Sequence, residues 1–316
     1  MDSLAGLLNA LMSPLLMPTD PGRRLFWLFI LSAVILASIT VSLQQKRFDL
    51  AAQCRALLNP QYWFNRSTAV DYSLLIGNNV LRLLLLVPLL GGHLAGTIAV
   101  GSWLQETLGD PPSPALPLAA IAISYTLLFF IFEDLSRFSL HLAMHKIPLL
   151  WRFHRTHHSA TTLTPLTLFR VHPLEMAIYY LRGLLVFSVF SGVFVYLFRG
   201  QVSGIDILGV DCLGFLFNAL GANLRHSPVF LSFGRAESLF ISPAQHQLHH
   251  SCAAEHRDIN FGTCLAIWDR MLKSWRASGK ARPIEFGLID TSISEHNPVI
   301  SPDEGIKKLG TRPSFN

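Results

Sequence analysis

Two stretches of this chain repeat one short word: HRTHH at 154–158 and HQLHH at 246–250, with a third cluster, HLAMH, at 141–145. On a helix, residues three and four apart share a face. His141 therefore points with His145, His154 with His157 and His158, and His246 with His249 and His250. Pro148 separates the first two clusters, which puts them on different helices or on one kinked helix. Imidazoles converging from three separate segments supply enough nitrogens for two metal ions. A lone histidine such as His93 or His296 reads as a surface or satisfied polar residue. A repeated His-x-x-His-His word does not, in a chain with only 13 histidines among 316 residues. Imidazole suits zinc, copper, iron and nickel alike. One structural zinc takes four ligands, usually with cysteine among them, so eight histidines are too many. Neither the His-Glu-x-x-His motif of hydrolytic zinc sites nor the paired Glu-x-x-His motifs of carboxylate di-iron bundles is present. A nitrogen-rich pair of irons that activates dioxygen has the most support, and a zinc-dependent membrane lipid hydrolase on the same histidines is the alternative.

The elements that must position these rings are apolar. The chain is 51% hydrophobic and 14% charged, against roughly 25% charged in an ordinary soluble domain. Crossing a bilayer core of about 30 Å takes about 20 apolar residues. Runs at 25–43, 82–102, 116–133 and 174–198 meet that length, while 205–222 is shorter and carries Asp206, Asp211 and Asn218, so it reads as a fifth span or half of a re-entrant hairpin. The expected fold is an all-α integral-membrane bundle of four or five spans, with a cytoplasmic helical cap holding a histidine-rich dimetal site. Lys and Arg populate 44–81, 134–173 and the chain after 223 but are missing from 103–115. This alternation puts the histidine clusters together on the cytoplasmic side and the N-terminus on the other. The net charge of +5 is spread along the ends of the apolar runs rather than in one stripe, so no nucleic-acid partner is expected. Cys54, Cys212, Cys252 and Cys264 form no CxxC pair and are expected as free thiols. The N-terminal MDSLAGLLNALMSPLLMP lacks the basic region and cleavage site of a signal peptide and suits a short amphipathic segment at the membrane surface.

The order His-x3-His, His-x2-His-His, His-x2-His-His resembles the fatty acid hydroxylase / sterol desaturase superfamily of integral-membrane di-iron oxidoreductases. FRVHPLE at 169–175, NLRHSPV at 223–229, FISPAQHQLHHS at 240–251 and HRDINFGTCLAIWDRML at 256–272 extend the likeness over roughly 120–290. The resemblance implies that the eight clustered histidines are metal ligands and His226 a ninth. Ala222 and Phe230, four residues to either side of His226, cannot ligate, which leaves Asn223 or a water to complete the set. His172 and His256 are candidates for an extra ligand or for orienting one. Glu133, Asp134, Glu175 and Asp258 are candidates to accept the free ring N–H of a ligand histidine, whereas Asp269 is expected to pin backbone. Trp151, Trp268 and Trp275 suit the membrane–water boundary. The implied organisation is membrane-anchoring helices over 1–115, a catalytic domain over 116–290 and a tail over 291–316. The implied activity is hydroxylation, slightly favoured over desaturation, of a sterol or fatty-acyl type lipid, using two irons, dioxygen and external electrons. Zinc could replace iron in purified protein. Because the chain has no flavin, dinucleotide or iron–sulfur motif, electrons would come from a separate reductase, ferredoxin or cytochrome.

Overall fold

The computed structural model describes residues 3–111, 114–200, 204–208, 210–279 and 285–288. In chain order the helices are α1 (Ser3–Leu16), α2 (Trp27–Gln45), α3 (Leu50–Leu57), α4 (Pro60–Trp63), α5 (Arg66–Leu81), α6 (Val87–Leu90), α7 (His93–Leu108), α8 (Leu118–Lys146), α9 (Pro148–His158), α10 (Pro173–Leu197), α11 (Cys212–Ala219), α12 (Pro243–His249) and α13 (Ile267–Met271). Strands β1 (Asp206–Ile207) and β2 (Val210–Asp211) form a two-residue antiparallel hairpin.

Four helical runs are long and apolar enough to cross a membrane: Trp27–Gln45, Arg66–Leu108, Leu118–Lys146 and Pro173–Leu197. Leu43, Leu89, Leu94 and Leu118 are each more than 60% exposed on these runs. Their surface would be costly in water and is at home against lipid tails. At 29 residues α8 is about 43 Å long, well beyond a hydrocarbon core of about 30 Å. The helix is thus long enough for its last turns, with His141 and His145, to project past the apolar layer.

The second run departs from the span expected at 82–102. It starts at Arg66, because α5 buries Ser67, Thr68, Asp71 and Asn79, which depress its hydropathy. Arg82–Leu86 forms a π turn, and Pro88 just beyond it has no N–H with which to bond back into that turn. Gly91, at φ 76°, then ends α6 in a conformation that glycine adopts without a Cβ clash. Farther along, α7 lies hard against α10. A Cβ on Gly192 would meet Val100 Cβ at 2.6 Å, and one on Gly96 would collide with Ser188 Oγ, so small residues set this approach.

The fifth apolar run is not a helical span. Residues 205–222 hold the hairpin and the eight-residue α11, about 12 Å of helix. This segment threads back through the bundle toward the histidine end. Ile205 N donates to Thr126 Oγ1 at 2.9 Å, the Phe215 ring meets Phe29 at 4.9 Å, and Ser32 Oγ donates to the Ala219 carbonyl. The N-terminal segment also differs from the charge-based expectation, since Met17, Arg23 and Arg24 line a cavity together with His141 and His154. The tail's start is tied down: Ser278 N and Oγ both donate to Glu237, and Cys252 N donates to the Glu285 carbonyl. Residues 289–316, with His296 and the tail expected at 291–316, lie outside the described residues.

Candidate metal centre

Pro148 ends α8 by forcing Ile147 to extended backbone (φ −98°, ψ 115°) and, needing no N–H, itself opens α9. His154, His157 and His158 sit on the last turns of α9 and are all buried. α12 is opened by Ser242, whose Oγ accepts from Gln245 N while Gln245 Oε1 accepts from Ser242 N. Every residue of this seven-residue helix is buried. Its glutamines are satisfied, with Gln245 donating to the Arg276 carbonyl and Gln247 to those of Leu224 and Val229. His226 ends the 3-10 turn Ala222–His226 that packs beside α12.

These elements bring nine histidines together in two groups. His141, His145, His154, His158 and His249 form one, and His157, His226, His246 and His250 the other. Within each, one ring nitrogen per residue lies within 4.8 Å of all the others. The groups adjoin, since the His158 and His250 rings stack at 4.5 Å. Nε2 of His226, His246 and His250 form a triangle with sides of 3.0, 3.1 and 3.2 Å, and Nε2 of His141 and His249 are 3.1 Å apart. A neutral imidazole has one N–H, so such contacts cannot all be hydrogen bonds. A side of about 3.0 Å is what two nitrogens make when each lies about 2.1 Å from one shared ion at right angles. The Nε2 atoms of His145, His154 and His158 and the Nδ1 of His157 are buried with no hydrogen-bond partner, a cost that an ion would remove. The donor set therefore fits a pair of metal ions.

The far side of several rings is held in the tautomer that ligation needs. Nδ1 donates to the Phe261 carbonyl from His141, to the Ile259 carbonyl from His249, and to Glu175 Oε1 from His154, each at 2.7 Å. These bonds leave the Nε2 lone pair free. Burial pushes His154 down to about 3 and His157 to about 4, and holds His158, His226, His246, His249 and His250 well below the usual imidazole range. All seven are thus neutral at pH 7, as a ligand must be. His246 is the exception in its partner. Its Nδ1 is 2.8 Å from Arg225 Nη2, and a guanidinium only donates. The ring's proton is then on Nε2, and His246 ligates through that atom only by giving it up.

Other expected site residues lie elsewhere. His172 caps α10 by accepting from Leu174 N and stacks on Phe153, and His256 lies in a partly exposed 3-10 turn; neither belongs to a histidine group. Asp134 binds no histidine ring. It accepts from Cys264 N, Leu265 N and Trp268 Nε1, so it anchors the segment that carries Phe261. Glu133 pairs with Arg137 and Arg182. Asp258 pairs with Lys146 at 2.7 Å and stays 3.8 Å from His145 Nδ1, too far for a hydrogen bond. Asn223 donates to the Arg24 carbonyl, and its Oδ1 is buried without a partner. Asp269 accepts from Phe261 N and Gly262 N, the backbone role expected of it. The three indoles have partners within the fold: Trp151 packs 5.1 Å from the His145 ring, Trp268 donates to Asp134 and Trp275 to the Glu237 carbonyl. Sequence spacing missed Arg225 and Arg170. The latter is buried and ties Asp71 of α5 to Thr156 in the last turn of α9 and to Ser159 just after it.

Residues 126–274 match the family profile "Fatty acid hydroxylase". An ornithine lipid hydroxylase of Rhizobium tropici is 25% identical over 149 residues, 47% of this chain and 40% of that protein. Alkylglycerol monooxygenases of Caenorhabditis elegans and Xenopus tropicalis are 22% and 25% identical over 50% and 46% of this chain, and 28% and 29% of their own lengths. The chain thus spans well under half of each of these relatives. No solved structure matches. The profile covers α9, α12 and all nine clustered histidines, so the part of the chain that carries the site is similar to the fatty acid hydroxylase family.

Proposed function

We propose that this protein is an integral-membrane di-iron oxidoreductase that hydroxylates a lipid C–H bond with dioxygen and electrons from a separate carrier. The observation that carries this reading is the convergence of nine histidines on two adjoining groups, five of them lining a cavity of about 410 Å³. His141, His145, His154, His158 and His249 would hold one ion, and His157, His226, His246 and His250 the other. When bound, the irons supply oxygen activation: one oxygen atom enters the C–H bond as C–OH, and the other leaves as water with two protons and two electrons.

The chain's own residues do the rest. Glu175 and the carbonyls of Phe261 and Ile259 hold the Nδ1 protons that fix ring orientation. Leu75, Leu168, Phe169 and Met176 give the cavity an apolar wall that seats a lipid chain and keeps water from the reacting carbon. The names of the relatives, a lipid hydroxylase and two monooxygenases, favour hydroxylation over desaturation. The surplus of Lys and Arg in 44–81 and 134–173, set against none in 103–115, supports a cytoplasmic position for the metals. A carrier of electrons would reach them from that side.

Incubating the purified protein with membrane lipids, a reductant and isotopically labelled dioxygen tests this reading. The expected result is iron in the protein and label in a hydroxylated lipid, with no product under argon. Lipid cleavage by zinc-loaded protein without oxygen or reductant would overturn it in favour of a hydrolase.

A further inference from the structure

The cavity beside the histidines is lined by five arginines, Arg23, Arg24, Arg82, Arg137 and Arg225, and by one carboxylate, Glu175, which is taken by His154. Three of the five are occupied. Arg23 pairs with Asp20 at 3.1 Å and Arg137 with Glu133 at 2.7 Å, while Arg225 donates to the carbonyls of Gly262 and Thr263 and to His246. Arg24 and Arg82 make no ion pair among the described residues. Their charged neighbours are of like sign, Arg225 and Arg137 for Arg24 and Arg23 for Arg82. Arg24 sits over the Phe217 ring at 5.1 Å, and burial lowers it to about 9, so it stays charged at neutral pH. An unpaired cation next to apolar walls is expensive unless a counter-charge arrives. Asn78 adds an acceptor at the same wall: its Nδ2 is spent on the Val171 carbonyl and its Oδ1 is buried and unpartnered.

We propose that the lipid taken by this cavity is anionic, and that Arg24 and Arg82 hold its head-group oxyanion, a carboxylate or a phosphate. The inference rests on the oxidoreductase reading for the lipid's fate but not for its binding. Guanidinium suits either anion through paired N–H donors. Asn78 Oδ1 would receive a hydroxyl or amine proton carried beside the anion. The head group would then lie near the metals, because Arg24 neighbours Arg225 and Arg225 donates to His246.

The test measures binding of three lipids with identical acyl chains, a phosphatidic acid, a free fatty acid and a neutral diacylglycerol, to metal-loaded and metal-stripped protein in lipid nanodiscs. At least one anionic lipid should bind about tenfold or more tighter than the diacylglycerol, and which one does identifies the head group. Arg24→Gln and Arg82→Gln should each remove about that factor for the anionic lipid and leave the diacylglycerol unchanged. Arg82→Lys should retain part of it. Equal affinity for all three lipids, or unaltered selectivity in both glutamine variants, would overturn the proposal. Should Arg24→Gln fail to fold, Arg82→Gln and Arg24→Lys decide the matter. Anion selectivity without oxygen-dependent product would sink only the oxidoreductase reading, whereas hydroxylation of neutral lipids in preference would sink only this one.

Discussion

His154 shows how much of a ligand's behaviour is set by what stands behind it. Its Nδ1 donates to Glu175 Oε1 at 2.7 Å and its Nε2 is left bare toward the site. Burial pushes the Glu175 carboxyl up to about 7, so above that pH its replacement by glutamine keeps an acceptor but removes the charge that strengthens the ring as a metal ligand. Metal affinity should fall about 10- to 100-fold, read by competition with a chelator, and an unchanged affinity would mean that Glu175 only fills space. Acid should act on the same rings. His154 and His157 titrate at about 3 and about 4 in the folded protein because they are buried, against about 6.5 in an unfolded chain. Below that value the unfolded state binds more protons, so stability is full above pH 6.5 and is lost as pH falls toward 4 and 3. The unfolding midpoint of metal-stripped protein should therefore drop between pH 7.5 and pH 5, and a flat profile would contradict neutral burial. The clustered histidines were legible because their partners are three and four residues away. The acceptors behind them were not: Phe261 and His141 are 120 residues apart, and a backbone carbonyl leaves no mark in sequence. Asp134 misled for the same reason, since its partners are N–H groups 130 residues along the chain.

Among the helices, hydropathy found the lipid-facing runs and misjudged the ones that carry polar cargo. α5 was left out of its span because it turns Asp71 inward to Arg170, Thr164 and Thr167, Ser67 to Arg170, and Thr68 onto the Trp63 carbonyl. An average over a window cannot separate a polar residue aimed at the protein from one aimed at lipid. The 205–222 segment, open in sequence between a fifth span and half of a re-entrant hairpin, is apolar enough for a span yet folds as a hairpin and a short helix. The contact of α7 with α10 was likewise unmarked, although two glycines make it. Gly192→Val would drive a methyl into Val100 and the Thr97 carbonyl, which lie 2.6 and 3.0 Å from the first added carbon. Destabilisation of about 1–3 kcal/mol is expected, seen as a lower unfolding midpoint in detergent. Gly183, on the same helix, has nothing within 4 Å of an added Cβ. Gly183→Ala should raise the midpoint, by about 0.5–1 kcal/mol at most, and a loss at both positions would show that the helix and not the contact is at fault.

Over the whole molecule, the direction of three long runs decides which segments share a side of the membrane. Arg66–Leu108 begins beside the cap, where Ser67 accepts from Thr161 N and from Arg170, and ends at Gly109. α8 returns from Leu118 to the histidines, and α10 leaves them again from Pro173. The loop after Leu108 must then be opposite the cap, with the bundle between them. Asp110 and Lys273 are both exposed and serve as markers of the two ends. In a chain whose four cysteines are replaced by serine, Asp110→Cys should react with a membrane-impermeant maleimide in intact cells. Lys273→Cys should react only after the membrane is opened, if the metals lie on the cytoplasmic side as proposed. Labelling of both from one side would break the three-run path itself. Reversed labelling would keep the path and turn the protein over, with the metals and their source of electrons then on the outer face.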